Sequence, residues 1–296
     1  MEKVKPGGHQ GKKTPMNFPV EKVKSIEVRT DDVFLISFHK SGTHWLKKVV
    51  QLIFNGGDND IRGTPASESP FLEMLLAGEG DDPRVQQMKM GYGVPLDFDV
   101  KDMESPRLLC THVNYDLLPP QLHEKKAKVI YLARNPKDVA ASAFNHFSRP
   151  PISLFEDFQS YLEIFLDEKG KGIFSQWGPH VLEWWHRRHE NNVLYVKYED
   201  MKKDPTVGVR TIAEFIGKDL SPEIIDKIAN YCSIEKMKVD AMDDPTVKVF
   251  GWKDNPFIRK GQVGGWKETF TVAQSELLDK RYKEWLKGSG LEFQFE

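Results

Sequence analysis

Four polar residues follow four short apolar runs of the sequence. Lys40, His112, Arg134 and Tyr198 each come within four residues of the end of such a run. An amine and a guanidinium bind anions, and an imidazole accepts a proton near neutral pH. Ligands of open α/β sheets bind outside the carboxyl ends of the strands. The spacing therefore predicts one site that holds an anion beside a proton acceptor.

The segment 37–45, Ser-Phe-His-Lys-Ser-Gly-Thr-His-Trp, places a glycine turn before a helix. A helix N-terminus offers unpaired N–H groups and the positive end of its dipole to an anion. Lys40 precedes Gly42, so the Walker A order GxxxxGK[ST] is absent, and ATP hydrolysis with a magnesium ligand from Ser or Thr is disfavoured. Taken alone, the loop fits an anion site or an ordinary turn with a surface lysine.

The apolar runs at 33–36, 107–110, 129–132 and 193–196 predict buried parallel strands, because they are continuous rather than alternating. One helix is predicted from Trp45 to Ile53, with a stop at residues 55–57. A second begins with Asn135 as N-cap and Pro136 at its first position. The alternation of strands and helices predicts an α/β fold.

The composition is that of a globular protein without a strong charge bias. Lys and Arg total 42 and Asp and Glu total 44, which argues against a nucleic-acid partner or an anionic membrane surface. The apolar runs are too short to span a membrane, and the first residues lack a secretory apolar stretch. The two cysteines, Cys110 and Cys232, indicate a reduced compartment. We expect a cytoplasmic protein with a mobile tail, residues 1–17, and one domain, residues 18–296.

Six ordered segments of the chain resemble the motifs of the cytosolic sulfotransferases. The segments, with the family motifs, are 37–45 (YPKSGTTW), 107–119 (RLLKTH…LLP), 133–142 (the 3′-phosphate segment), 198–201 (YEDM), 259–267 (RKGxxGDWK) and 267–276 (KxxxTVxxxE). The resemblance implies a single α/β domain with a central parallel sheet flanked by helices, the P-loop-nucleotide-kinase-like sulfotransferase fold. It also implies transfer of a sulfuryl group from 3′-phosphoadenosine 5′-phosphosulfate (PAPS), without a metal, to a hydroxyl or amine of a small lipophilic acceptor.

Three residues are expected to act in that reaction. His112 is the natural general base, because neutral imidazole can take the proton of the attacking hydroxyl. Lys40 is expected to stabilise the negative charge that develops on the leaving 5′-phosphate. By resemblance, Ser142 contacts both the 3′-phosphate and Lys40.

The remaining site residues follow from the same resemblance. Arg134 forks onto the 3′-phosphate and Trp45 stacks on adenine. The expected nucleotide-binding residues are Lys40, Ser41, Gly42, Thr43, His44, Trp45, Arg134, Ser142, Tyr198, Cys232, Ser233, Ile234, Phe257, Ile258, Arg259, Lys260 and Gly261. The expected acceptor-binding residues are Phe38, Tyr92, Cys110, Thr111, His112 and Phe147.

Two further features concern partners and metals. The segment from Lys267 to Glu276 fits the dimer motif of the family and implies a possible homodimer. His186 and His189 lie one helical turn apart, a spacing that can bind a metal. We interpret them as part of a solvated helix face, because Trp184 and Trp185 are expected to pack inward.

Several positions depart from the family pattern. His39 stands for proline, His44 and Cys232 for threonine, and Gly265 for aspartate. Cys110 replaces a lysine close to the transferring group. Two alternatives to an active enzyme therefore stay open. One is a catalytically weak protein that binds PAPS or a lipophile on the same scaffold. The other is a nucleotide kinase of related fold, which the loop order disfavours.

Overall fold

The structure is a computed structural model that describes residues 17–60, 71–91, 94–150, 152–167, 176–240, 253 and 258–296. Its centre is a four-stranded parallel sheet in the order β2-β1-β3-β4. Parallel strands need crossover connections, and helices supply them here. The strands are β1 (Val33–Ser37), β2 (Leu108–Thr111), β3 (Lys128–Ala133) and β4 (Val193–Lys197).

All four predicted strands are present, and β2 lies one residue later than predicted. Successive residues of β1 alternate between two apolar cores: Phe34 and Ile36 belong to one, and Val33 and Leu35 to the other. Both faces of the sheet are therefore covered. The predicted α/β class with a central parallel sheet flanked by helices is confirmed.

The helices divide between the two faces of the sheet. Leu46, Ile212 and Ile228 pack on the face of Val33 and Leu35, whereas Val139 and Leu278 pack on the opposite face. The helices are α1 (Thr43–Phe54), α2 (Leu72–Leu75), α3 (Pro83–Gly91), α4 (Gln121–Glu124), α5 (Pro136–Phe147), α6 (Phe158–Leu166), α7 (Trp177–His186), α8 (Tyr198–Lys203), α9 (Pro205–Ile216), α10 (Pro222–Tyr231), α11 (Ile234–Asp240) and α12 (Val272–Trp285).

The two helices predicted from the sequence begin at the carboxyl ends of β1 and β3. Gly42 is the N-cap of α1, and α1 ends at Phe54, as the Asn-Gly-Gly stop predicts. Asn135 is the N-cap of α5: its side chain accepts the N–H of Asp138, and Pro136 follows at the first position. Both helix N-termini therefore face the same edge of the sheet.

The segment 77–95 has many Gly, Asp and Met residues, a composition that favours a mobile covering loop, but the structure places α3 within it. The Nζ of Lys89 is buried and donates to the carbonyl oxygens of Ala77 and Leu96, each at 2.9 Å. A buried ammonium with main-chain acceptors fixes this segment in place. Of the predicted tail, residues 1–16 lie outside the described residues. No described helix is both long and apolar enough to span a membrane.

Candidate active site

A cavity lies at the carboxyl end of the sheet, where β1, β2, β3 and β4 terminate side by side. Its lining includes Lys40, His112, Arg134 and Tyr198, the four polar residues that follow the four strands. The strand ends are held in register, with Ile36 beside Thr111. Parallel pairing therefore brings together groups that lie up to 158 positions apart in the sequence.

The imidazole of His112 is held by β1. Its Nδ1 lies 2.8 Å from the carbonyl oxygen of Ser37, an acceptor without a proton. Nδ1 must therefore carry the hydrogen, which leaves Nε2 as the basic nitrogen. Burial lowers the pKa of His112 to about 3, and the nearby His180 and Lys40 act in the same direction; the hydrogen bond that Nδ1–H donates to Ser37 raises the pKa but is outweighed. The imidazole is therefore neutral at physiological pH and can accept a proton.

The main chain of His112 is fixed on both sides. Its N–H donates to Oε1 of Glu73 at 2.9 Å, and its carbonyl oxygen accepts from Nε2 of His180 at 3.3 Å. Nδ1 of His180 accepts in turn from the hydroxyl of Tyr131 at 2.7 Å. Sequence reasoning missed Glu73 and His180. An acidic residue inside the apolar run 71–77 was the available signal for Glu73.

Lys40 lies in the loop between β1 and α1 in a left-handed backbone conformation, with φ of 63°. Burial, reinforced by Arg134, Arg259 and Arg149, lowers the pKa of Lys40 to about 7. Four cations near one cavity repel each other unless an anion is present. The charges around Lys40 therefore indicate a polyanionic ligand.

The turn at Gly42 allows the loop to approach α8. Gly42 has φ of 108°, and a Cβ at this position would lie 2.8 Å from the ring of Tyr198. Only glycine satisfies both the backbone conformation and the contact. The hydroxyls of Ser37 and Thr43 are 2.6 Å apart behind the turn. The loop is thus packed in the shape that places the N-terminus of α1 at the cavity.

An aromatic slot forms one end of the cavity. The rings of Trp45 and Tyr198 lie 5.2 Å apart at 69°, and the indole N–H of Trp45 donates to the carbonyl oxygen of Cys232 at 3.0 Å. The guanidinium of Arg134 lies 4.2 Å from the centre of the Tyr198 ring. Ile234 and Ile258 complete the lining. The two rings meet edge to face, so the slot offers the face of Trp45, rather than a space between two rings, beside a cation; this suits stacking of a purine nucleotide.

Arg134 connects this slot to the segment 258–265. Its Nη2 donates to the carbonyl oxygen of Gln262 at 3.0 Å and lies 3.4 Å from the carboxylate of Asp138. Its Nε is buried and has no hydrogen-bond partner among the described residues. Asp138 also accepts the main-chain N–H groups of Gly264 and Trp266, at 3.1 and 3.0 Å. This carboxylate therefore orients both Arg134 and the segment that carries Arg259.

The opposite end of the cavity is apolar with several imidazoles. His112 stacks on Phe71 with ring centres 4.5 Å apart, and the ring centre of His44 lies 5.5 Å from that of Phe71. The apolar lining residues at this end are Phe18, Phe71, Met74, Met88, Phe147, Ile152 and Leu154, and the additional histidines are His39, His44 and His146. Burial lowers the pKa of these three histidines, so they are neutral at pH 7.

Most of the predicted site residues line this cavity. They are Lys40, Gly42, Thr43, His44, Trp45, His112, Arg134, Ser142, Phe147, Tyr198, Cys232, Ile234, Ile258, Arg259, Lys260 and Gly261.

Five predicted site residues do not line the cavity, and two others lie outside the described residues. Ser41, Phe38 and Cys110 are fully buried behind the cavity surface, and Ser233 is also absent from its lining. Thr111 is buried and donates to Glu73. The side chains of β2 alternate between the two faces of the sheet, and that of Cys110 enters the core with Leu46 rather than the cavity. Tyr92 and Phe257 are the two residues outside the description.

Comparison with known proteins identifies the family. Residues 30–290 match the model of the sulfotransferase domain. The chain is 36% identical over 283 residues to Sulfotransferase 1A1 of Mus musculus, covering 93% of this chain and 91% of that protein. It is 37% identical over 281 residues to Sulfotransferase 1A1 of Bos taurus, covering 93% and 90%.

Solved structures agree with this result. Mouse sulfotransferase SULT7A1 complexed with PAP superposes with a TM-score of 0.70 at 30% identity, covering 92% of this chain and 90% of that chain. Retinol dehydratase in complex with androsterone and the inactive cofactor PAP gives 0.74 at 26% identity, covering 95% and 90%. The fold and the site thus define a group-transfer enzyme. The chain belongs to the sulfotransferase family, and the prediction of a sulfotransferase is confirmed.

Proposed function

We propose that this sulfotransferase transfers a sulfuryl group from PAPS to a hydroxyl group of a lipophilic acceptor, with His112 as the general base. The observation that carries the proposal is the convergence of His112, Lys40 and Arg134 on one cavity. PAPS is the donor, since the solved relatives named above are complexed with PAP. When bound, PAPS supplies the sulfuryl group and a 5′-phosphate leaving group.

The residues at the aromatic end fit such a nucleotide. The half-buried ring of Trp45, which meets Tyr198 edge to face, offers a face on which a flat base can stack, and the buried Nε of Arg134 is available to a phosphate oxygen. Arg259 and Lys260 line the same end. Among the described residues, no group of three or more His, Cys, Asp or Glu could hold a metal ion. We assign the neutralisation of the nucleotide charge to Arg134, Arg259 and Lys260, because these cations line that end of the cavity.

His112 moves the proton. Its Nδ1–H is committed to Ser37, so Nε2 is the atom that takes the hydrogen of the acceptor hydroxyl. Lys40 supplies a positive charge beside the position of the leaving oxygen. An anion in the cavity raises the pKa of this amine again, because it offsets the repulsion from the arginines. Ser142 lines the cavity and is assigned the restraint of Lys40.

The acceptor end favours a lipophilic body with an alcohol or phenol. Phe71, Met88 and Ile152 supply apolar surface around His112. Two solved relatives are complexes of retinol dehydratase, one with androsterone and one with retinol, both lipophilic alcohols. An amine acceptor is the second choice, because neutral His112 can accept its proton as well.

The expected homodimer and the cytoplasmic location remain proposals. The segment from Lys267 to Glu276 leads into α12, whose N-cap Thr271 forms a reciprocal pair of hydrogen bonds with Gln274. The side chain of Val272 is 76% exposed there. An exposed apolar side chain on a well-ordered helix start suits a small contact between two copies.

The proposal can be tested by measuring transfer of the sulfuryl group from labelled PAPS. The acceptors are a panel of phenols, alcohols and amines, and a chelator is present. Product formation that is lost in His112→Ala supports it. Binding of PAP without product from any acceptor would favour a catalytically weak binding protein, a reading consistent with the burial of Cys110 away from the cavity. Phosphate transfer from ATP would favour a kinase.

A further inference from the structure

A buried carboxyl group beside His112 has no part in the reaction described above. Glu73 on α2 is 2% exposed and lines the cavity. Its Oε1 accepts the main-chain N–H of His112 at 2.9 Å, and its Oε2 accepts the hydroxyl of Thr111 at 2.8 Å. One donor is the last residue of β2 and the other is the residue that follows it. The carboxyl group of Glu73 therefore fixes the point at which His112 leaves the sheet.

The acceptors and donors of two other hydrogen bonds of His112 do not titrate near neutral pH. One joins its Nδ1 to the carbonyl oxygen of Ser37, and the other joins its carbonyl oxygen to His180. Burial lowers the pKa of His180 to about 4, so this imidazole is also neutral at pH 7. The bond to Glu73 is different, because its acceptor is an acid.

Protonation of Glu73 must disturb this arrangement. A carboxylate accepts hydrogen bonds at both oxygens, whereas a carboxylic acid has one hydrogen of its own. On Oε1 that hydrogen would face the N–H of His112; on Oε2 it would face the hydroxyl of Thr111, which could accept it only by giving up its own donation to Glu73. At least one of the two bonds then has to rearrange.

We propose that Glu73 is a positioning residue for His112: its carboxylate holds the base in place, and its protonation sets the lower pH limit of sulfuryl transfer. This inference rests on the proposed function. Glu73 does not touch the reacting atoms in this account, and it acts through the main chain of His112.

The electrostatics agree with this assignment. Burial raises the pKa of Glu73 to about 7, and the hydrogen bonds from Thr111 and His112 act in the opposite direction. His112, with its pKa lowered to about 3, stays neutral while Glu73 titrates. A fall in rate just below pH 7 therefore belongs to Glu73 rather than to the base itself.

The other charged or titratable groups around α2 do not account for a fall in rate just below pH 7. Lys22 pairs with Asp81 at 2.7 Å, and Lys89 is held by main-chain carbonyls. His44, across the Phe71 ring, is neutral because burial lowers its pKa. Lys40 gains charge as the pH falls, which favours anion binding rather than weakening it.

The first test is the pH profile of kcat in the full-length protein. We expect kcat of the wild type to fall about tenfold from pH 8 to pH 6, as a single group with a midpoint near 7 requires. Glu73→Gln keeps the size of the side chain but cannot titrate, so its profile should be flat over this range. The matched control is Glu163→Gln, which removes an exposed carboxylate on α6 and should keep the wild-type profile. An unchanged acid limb in Glu73→Gln would overturn the inference.

The second test does not depend on activity. The amide proton of His112, followed by NMR in the presence of PAP, should titrate with a midpoint near 7 in the wild type and stay constant in Glu73→Gln. Thr111→Val removes a donor that lowers the pKa of Glu73, so it should move this midpoint upward, and Thr111→Ser should restore it. The two Thr111 variants test the positioning role of Glu73 even if Glu73→Gln does not fold. An amide signal that does not titrate refutes the positioning role, whereas absence of transfer to any acceptor refutes only the proposed function.

Discussion

The two ends of the cavity are built in different ways. The end that we assign to the nucleotide includes residues next to strand ends and helix starts, such as Gly42, Trp45 and Arg134. The acceptor end is formed by side chains from separate segments, such as Phe18, Met88 and Ile152. The positions of the residues at the first end depend on the sheet, so a change of residue there would also affect the fold. The second end can change its residues without changing the sheet, which permits different acceptors on one scaffold.

The largest expected effect is at the junction of the two ends. His112→Ala should lower kcat about a thousandfold, because general base catalysis is lost, while the Kd for PAP should change little. Rapid quench of product formation and calorimetric titration with PAP measure the two quantities. A parallel loss of PAP affinity would show that His112 belongs to the nucleotide end instead.

A smaller effect is expected for the nucleotide end alone. Arg134→Gln should weaken PAP binding about thirtyfold, since it removes a charge-assisted hydrogen bond, and should leave the KM for the acceptor unchanged. The control is Arg210→Gln, which removes an exposed arginine on α9. If both variants bind PAP like the wild type, Arg134 does not contact the nucleotide.

The pH dependence of PAP binding sharpens the assignment of Lys40. Because burial and the nearby arginines lower the pKa of Lys40 to about 7, the free protein loses this positive charge as the pH rises above 7. PAP affinity should therefore fall between pH 7 and pH 9, by up to about tenfold per unit. In Lys40→Arg the charge persists, so calorimetry should show a shallower decline. Equal slopes in both proteins would contradict this assignment.

The smallest effect is expected at the acceptor end. His146→Phe replaces a neutral imidazole beside Phe147 with an apolar ring, so the KM of an apolar acceptor should fall about fivefold. The Kd for PAP should stay the same if the two ends are separate. Steady-state kinetics with a matched pair of alcohols, one carrying an additional hydroxyl, measures the preference. A changed Kd for PAP would show that the two ends of the cavity do not bind their ligands independently.

The sequence predicts much of the sheet and of the nucleotide end because local signals are strong there. Continuous apolar runs identify the strands, and the Asn-Pro start identifies α5. The acceptor end lacks such signals: Phe18, Met74 and Ile152 come from short segments whose spacing has no period. Glu73 was missed for a related reason. Its role depends on a hydrogen bond from the main chain of His112, which lies 39 residues further along the sequence. No local sequence pattern encodes this contact.

The buried Lys89 of α3, the helix that contributes Met88 to the cavity lining, has a practical consequence. Since the Nζ of Lys89 is enclosed by carbonyl oxygens, amine-acylating reagents can reach it only when this helix separates from the body of the protein. The labelling rate of Lys89 would therefore report the rate of that opening. It can be measured by mass spectrometry, with the exposed Lys101 as the reference. An acceptor that slows the labelling would be one whose binding stabilises α3 against this opening.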